Sequence, residues 1–126
     1  MAYIVHRELS YAIIGILFKI YNDLGGGYQE KYYQSATKHA FDKVGIPCLE
    51  QVRADLMSDG KFIGRYYMDF IVDHKIVLEV KVKCFFTQKD IRQVLGYLKR
   101  SNLDLGILVS FADSGLKFKR ILRGYN

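Results

Sequence analysis

The sequence has no tryptophan, one proline and two cysteines. Cys48 and Cys84 alone cannot form the disulfide framework of a small secreted domain, so a reducing, cytoplasmic setting is the expectation. With Pro47 as the sole proline, no proline-rich linker or low-complexity tract divides the chain, and no internal repeat is present. Long hydrophobic runs are also lacking. The longest apolar stretch, 11–20, is interrupted by Lys19 and is too short to span a bilayer. No signal peptide is read before it, because residues 1–10 carry Glu8 beside His6 and Arg7. What remains is one folded domain over 1–126, half apolar and a quarter charged.

Charge is present in excess of one sign. The formal net charge is +6 and the pI is near 9.3. That favours an anionic partner such as nucleic acid, although solubility alone would also account for it. The basic residues concentrate late: Lys81, Lys83, Lys89, Arg92, Lys99, Arg100, Lys117, Lys119, Arg120 and Arg123. Other chemistries find little support. His6, His39 and His74 show no zinc-binding spacing. No G-x-S-x-G elbow is present. Cys84 beside Phe85 and Phe86 reads as packing rather than as a nucleophile.

Periodicity predicts the order α-α-β-β-β-α-β-β. Leu9, Ala12, Ile13, Ile16, Leu17, Ile20 and Leu24 recur at helical spacing over 8–24, and Gly25-Gly26-Gly27 stops that helix. A second helix is expected over 29–43, ended by Gly45 and Pro47. Strands are expected over 49–57, 62–72 and 76–82, joined by turns at Ser58-Asp59-Gly60 and Asp73-His74-Lys75. Thr87 or Asp90 would cap a helix running to about 100. Short strands at 105–110 and 117–122 complete an α/β fold with a mixed central sheet flanked by helices.

Two strands carry charges that need a reason. Asp69 lies in the apolar run 66–72, and Glu79-Val80-Lys81 lies in the run 76–82. Unpaired buried charge is expensive. Two carboxylates that share a divalent cation resolve the problem, and a lysine beside them can stabilise charge on a phosphate. The apolar pattern bears on whether they meet. Matching Met68, Phe70 and Val72 with Ile76, Leu78, Val80 and Val82 pairs Val72 with Ile76, Phe70 with Leu78 and Met68 with Val80. Asp69 then falls opposite Glu79, with Lys81 two residues on along the same face, provided the turn holds three residues. Cross-strand neighbours lie about 5 Å apart at Cβ, close enough to share one cation. A polar face in which Lys81 balances the two carboxylates is the plainer alternative.

Two further patterns stand on the predicted helices. Gly27-Tyr28-Gln29-Glu30-Lys31-Tyr32-Tyr33 reads G-x-x-E-x-x-Y, and Gln93-Val94-Leu95-Gly96-Tyr97 reads Q-x-x-x-Y. Glu30 would sit in the first turn of its helix, where the dipole favours a carboxylate, so a structural and a catalytic role fit equally well. Tyr33, at i+3, would brace Glu30 by packing or hydrogen bonding. Gln93 and Tyr97 are i,i+4 neighbours beside the stripe Ile91, Val94, Leu95 and Leu98. Lys89, Arg92 and Arg100 border it with positive charge suited to phosphates. Lys83 and Arg92 add cations on the substrate side.

With Asp69…Glu79-Val80-Lys81, these motifs resemble the GxxExxY family of PD-(D/E)xK nuclease-like proteins, in the same order and over nearly the whole chain. The resemblance implies a restriction-endonuclease-like core and a metal-dependent nuclease acting on DNA or RNA with Mg²⁺ or Mn²⁺. It implies that Asp69 and Glu79 are metal ligands, joined by the Val80 carbonyl, and that Lys81 is the catalytic lysine. Glu30 would be the acidic residue given by the early helix, a further catalytic group that helps hold the metal directly or through water, and Gln93 and Tyr97 would lie against the site and the nucleic acid. Met68 stands where the motif's name has proline, and Gly25-Gly26-Gly27 where relatives often carry Gly-Pro-Gly. The alternative reading is a nucleic-acid-binding or protein-interaction module that kept the fold without turnover. Cutting both strands of a duplex at once would call for two sites, hence a homodimer.

Overall fold

The structure, a computed structural model, describes residues 5–124. Its elements follow the expected order. Helices α1 (Arg7–Leu24) and α2 (Glu30–Val44) precede strands β1 (Cys48–Ser58), β2 (Lys61–Val72) and β3 (Ile76–Lys81). Helix α3 (Gln88–Ser101) then leads to β4 (Leu105–Ala112) and β5 (Gly115–Leu122). The strands form one mixed sheet in sequential order, antiparallel except for the β3–β4 pair. Parallel neighbours need a crossover, and α3 supplies it.

Both faces of the sheet are covered. Ile13, Leu17, Tyr33 and Phe41 of α1 and α2 pack on one face, and Val94 and Leu98 of α3 pack on the other. Every residue of β4 is buried, as its unbroken apolar run requires of a strand covered on both sides. At Gly106 a Cβ would lie 2.4 Å from Val94 Cγ1, so glycine lets α3 approach the sheet. On α1 the buried face is Ser10, Ile13, Leu17 and Ile20, not the full expected stripe: Ala12 is exposed, and Leu24 lines an open groove between α1 and α2. Among the described residues no helix is long and apolar enough to cross a membrane.

The β2–β3 register places the site. Val72 pairs with Ile76 and Phe70 with Leu78, and Asp73-His74-Lys75 forms the three-residue connection, as the matched faces predict. Asp73 and His74 take left-handed φ values of 50° and 56°, and the Lys75 N–H closes onto the Val72 carbonyl at 3.0 Å. Only these last three residues of β2 pair with β3, so the rest of the β1–β2 hairpin runs on as a two-stranded arm. Its Asp59-Gly60 tip has φ values of 51° and 73°, the backbone of a tight hairpin turn.

One expected pair is not made. Met68 does not share a face with Val80. It packs with Ile71 and Val77 on the α3 side, whereas Phe70, Val72 and Val80 face α1 and α2. The alternation of β2 therefore slips by one residue between Met68 and Phe70. Opposite, Gln51 has a φ of 49° inside β1, and the pairing steps from Glu50–Phe70 to Val52–Met68. A local irregularity that re-aims a side chain is what bulges do near functional sites. Here it turns Asp69 toward β3.

Candidate active site

Asp69 and Glu79 interlock across the two strands. The Asp69 N–H donates to Glu79 Oε1 at 2.6 Å, and the Val80 N–H donates to Asp69 Oδ2 at 2.8 Å. Two carboxylates thus take positions that strand carbonyls would hold in a regular ladder. This explains why the ladder stops at Phe70–Leu78 and why simple face matching misplaces Met68. Asp69 is 7% exposed and Glu79 5%. The second oxygen of Asp69 accepts from Gln34 Nε2 of α2 at 3.0 Å and from Gln51 Nε2 of β1 at 3.4 Å. Gln34 also donates to Glu30 Oε2 at 3.5 Å. Glu30 therefore reaches Asp69 through one amide group. Neither glutamine bears a charge or sits in a motif that marks it in the sequence.

Burial dominates the electrostatics of this cluster, and Lys81 only partly offsets it. Burial pushes the Glu79 carboxyl up to about 8, and the neighbouring Asp69 adds to the rise; the Asp69 N–H and Lys81 oppose it, and Glu30 pushes further upward. Asp69 is raised by burial against the pull of the Val80 N–H, Lys81, Gln51 and Gln34. Glu30 is raised by burial and then by Asp69. An oxygen-only donor set of this kind suits a hard divalent cation. Among the described residues no group of three His, Cys, Asp or Glu side chains is placed to hold a metal. Asp69 and Glu79 would be the direct carboxylates, with water and substrate filling other positions, as Mg²⁺ commonly accepts.

Lys81 stands at the rim between two acids. Its Nζ lies 3.9 Å from Glu79 Oε2 and 4.0 Å from Asp90 Oδ1. Asp90 is 6% exposed and is the residue that sequence reasoning valued only as a helix cap. It does cap: Thr87 and Asp90 form a reciprocal capping box at the start of α3. The same carboxylate also accepts from Lys83 Nζ at 2.6 Å. Burial pulls its pKa up, but the Lys83 and Thr87 hydrogen bonds outweigh that and hold it below the ordinary aspartate value.

The remaining candidates lie farther from the carboxylates. Tyr33 does not brace Glu30. Its O–H donates to the Gly25 carbonyl at 2.6 Å, accepts from the Tyr28 N–H at 3.3 Å, and its ring stacks on Phe111 at 4.3 Å. It therefore fixes the glycine turn in which Gly27 takes a φ of 97°, and through it the start of α2. Tyr97 packs against the α3-side core and lines a recess with Arg53, Asp55, Met57 and Arg100 at the hairpin arm. Burial, with Tyr66 nearby, raises its hydroxyl pKa. Gln93 is half-buried on α3 and Arg92 is exposed; neither side chain makes a hydrogen bond or ion pair among the described residues. Lys83 is engaged by Asp90. The expected packing of Cys84-Phe85-Phe86 holds for Phe86 alone, because Cys84 and Phe85 are exposed.

A family model of the PD-(D/E)XK nuclease superfamily matches residues 7–121. The chain belongs to that superfamily, whose members are nucleases that typically use divalent metals, and it has the restriction-endonuclease-like fold. Among solved structures it is similar to the crystal structure of SSO0001, with a TM-score of 0.59 at 19% identity. That likeness covers 76% of this chain and 52% of the other, so this chain spans about half of that structure's length. No curated protein matches.

Proposed function

We propose that the chain is a metal-dependent nuclease of the GxxExxY type, hydrolysing phosphodiester bonds of DNA or RNA with Mg²⁺ or Mn²⁺. The observation that carries this reading is the interlocked, buried pair Asp69 and Glu79, with Lys81 Nζ 3.9 Å from Glu79. Asp69 and Glu79 would hold the metal, with the Val80 carbonyl as a third ligand and Glu30 acting through Gln34 or water. A divalent cation in that place would activate water and neutralise charge on the phosphate. Gln34, Gln51 and the Val80 N–H fix Asp69 so that its carboxylate does not reorient during the reaction. Lys81, at the rim, would stabilise charge developing on the phosphate. Lys83, Arg92, Gln93 and Tyr97 would act on the substrate side, and Tyr33 would support the motif helix. A homodimer would supply two such sites for a duplex.

The test is Mg²⁺- and Mn²⁺-dependent degradation of single- and double-stranded DNA and RNA by the purified chain, with EDTA as control. Asp69→Ala and Glu79→Ala should abolish cleavage, and Lys81→Ala should lower it strongly, while all three keep the native circular dichroism spectrum. Unchanged cleavage in all three sinks the proposal. The net charge of +6, which suits an anionic partner whether or not it is cut, leaves one alternative, a nucleic-acid-binding module without turnover. Salt-sensitive binding with no cleavage at any metal concentration would identify it.

A further inference from the structure

We infer that Phe85 is a stacking platform for an unpaired nucleobase next to the phosphate held at Lys81; this rests on the nuclease reading above. Phe85 is 80% exposed, more than any other large apolar side chain among the described residues. The adjacent ring, Phe86, packs half-buried against the α3-side core, so the segment turns one aromatic inward and keeps the other outside.

The exposed ring stands on a fixed support. Lys83 Nζ and the Thr87 N–H both donate to Asp90 Oδ2, at 2.6 and 2.9 Å, and the Asp90 N–H donates to Thr87 Oγ1 at 3.1 Å. Ser110 Oγ donates to the Lys83 carbonyl at 2.5 Å, and Lys117 Nζ donates to the Cys84 carbonyl at 2.9 Å. The residues on both sides of Phe85 are thus tied to α3, β4 and β5. A side chain on a loop already ordered in this way loses little freedom when a ligand docks.

Chemistry and position select the ligand. Lys117 Nζ lies 5.4 Å from the Phe85 ring centroid, so a cation accompanies the aromatic face. A flat ring with an ammonium group beside it suits a ligand that is both planar and anionic. Asp90, which pins both ends of the segment, also lies 4.0 Å from Lys81 Nζ. The loop that presents Phe85 is therefore anchored at the same carboxylate that faces the candidate catalytic lysine. In a duplex the base faces are stacked on one another, whereas an unpaired base has a face to offer. The substrate class is a strand with an unpaired base beside the cut, as in a single strand or a frayed end.

The experiment measures binding in EDTA, where cleavage plays no part. The full chain and its Phe85→Ala and Phe85→Trp variants are titrated with a labelled single strand, a duplex with a frayed end and a blunt duplex. Phe85→Ala should weaken the first two by about tenfold or more, and Phe85→Trp should restore them. Blunt-duplex binding should change by less than about twofold, because it rests on phosphate contacts. A 2-aminopurine base in the single strand should be quenched by the wild-type chain and not by Phe85→Ala. Equal loss on all three ligands, no loss on any, or no wild-type binding overturns the inference; the last result would point to a protein partner for Phe85. The two ideas fail separately. Binding with this pattern but no degradation in Mg²⁺ or Mn²⁺ removes the nuclease reading and keeps the platform. Degradation that Phe85→Ala leaves unchanged on every substrate, with unchanged binding, does the reverse.

Discussion

Two acidic centres flank Lys81, and they are tuned in opposite directions. On one side Asp69, Glu79 and Glu30 are held above their ordinary pKa values, all three first by burial, and Glu79 and Glu30 then by the neighbouring Asp69, while hydrogen bonds to Asp69 and Glu79 pull the other way. On the other, Asp90 is equally little exposed but lies less deep in the protein, and Lys83 and the Thr87 cap hold it below its ordinary value. Depth of burial and partners together make the difference. Asp90 has a protein cation at 2.6 Å and a helix N-terminus around it, so its charge is satisfied within the chain. Glu79 and Asp69 have backbone N–H groups, two neutral amides on Asp69 and, 3.9 Å from Glu79, a lysine shared with Asp90, so no cation is theirs alone. One centre is complete as a piece of structure. The other keeps buried carboxyls whose charged forms burial disfavours.

The contrast can be broken at several points. The largest effect is expected on cleavage: Lys81→Ala should lower the rate by roughly a hundred- to a thousand-fold, as for loss of one group that stabilises transition-state charge. Asp90→Asn should lower it much less, because Asp90 would act only through Lys81, 4.0 Å away. Rate assays on the two variants side by side check this, and equal losses would erase the distinction.

Next comes pH. Glu79 is raised from 4.5 to about 8, so the folded state keeps a proton that the unfolded state releases. Its stabilising contribution is full below the unfolded value and disappears as pH rises through the folded one. Without divalent metal, stability should therefore fall between about pH 5 and 8, by a few kcal/mol in total. Glu79→Gln should flatten that slope, and Mg²⁺ or Mn²⁺ should raise the wild-type unfolding temperature most at the alkaline end. Denaturant melts at spaced pH values decide it; a slope unaltered in Glu79→Gln contradicts the assignment.

Asp90 should show the opposite sign. Its contribution is present above the ordinary aspartate value and is lost only as pH falls through its lowered folded value. Asp90→Ala should destabilise by about 2 kcal/mol, through the lost cap and the unpaired Lys83. Thr87→Ala, which removes half of the same capping box, should cost about 1 kcal/mol. Neither variant should change the stability gained on adding metal, measured as the shift in unfolding temperature.

The sequence made some of this legible and hid the rest for physical reasons. The order of elements, and the register of Val72 with Ile76 and Phe70 with Leu78, follow from apolar alternation and a three-residue turn. Asp69 and Glu79 were brought together by that register alone. Met68 was misplaced because alternation presumes a regular ladder, and carboxylates replace ladder groups at Asp69. Gln34 and Gln51 were invisible because a neutral amide leaves no mark in a charge or hydropathy pattern. The sequence marks Asp90 as a cap, yet its pairing with Lys83 and approach to Lys81 depend on how the 83–87 loop folds back. Phe85 reads as packing in the sequence because composition cannot say which of two adjacent rings turns inward.

The half-step in β2 has a consequence for anyone who would transplant this chemistry. Copying Asp69, Glu79 and Lys81 onto a regular antiparallel hairpin would aim the aspartate at the wrong layer of the host. The transferable unit includes the left-handed Gln51 on the neighbouring strand and Gln34 on the overlying helix, because those residues hold the aspartate in the kinked backbone. A graft that carries the acids and leaves the kink behind would reproduce the motif in letters while losing it in space.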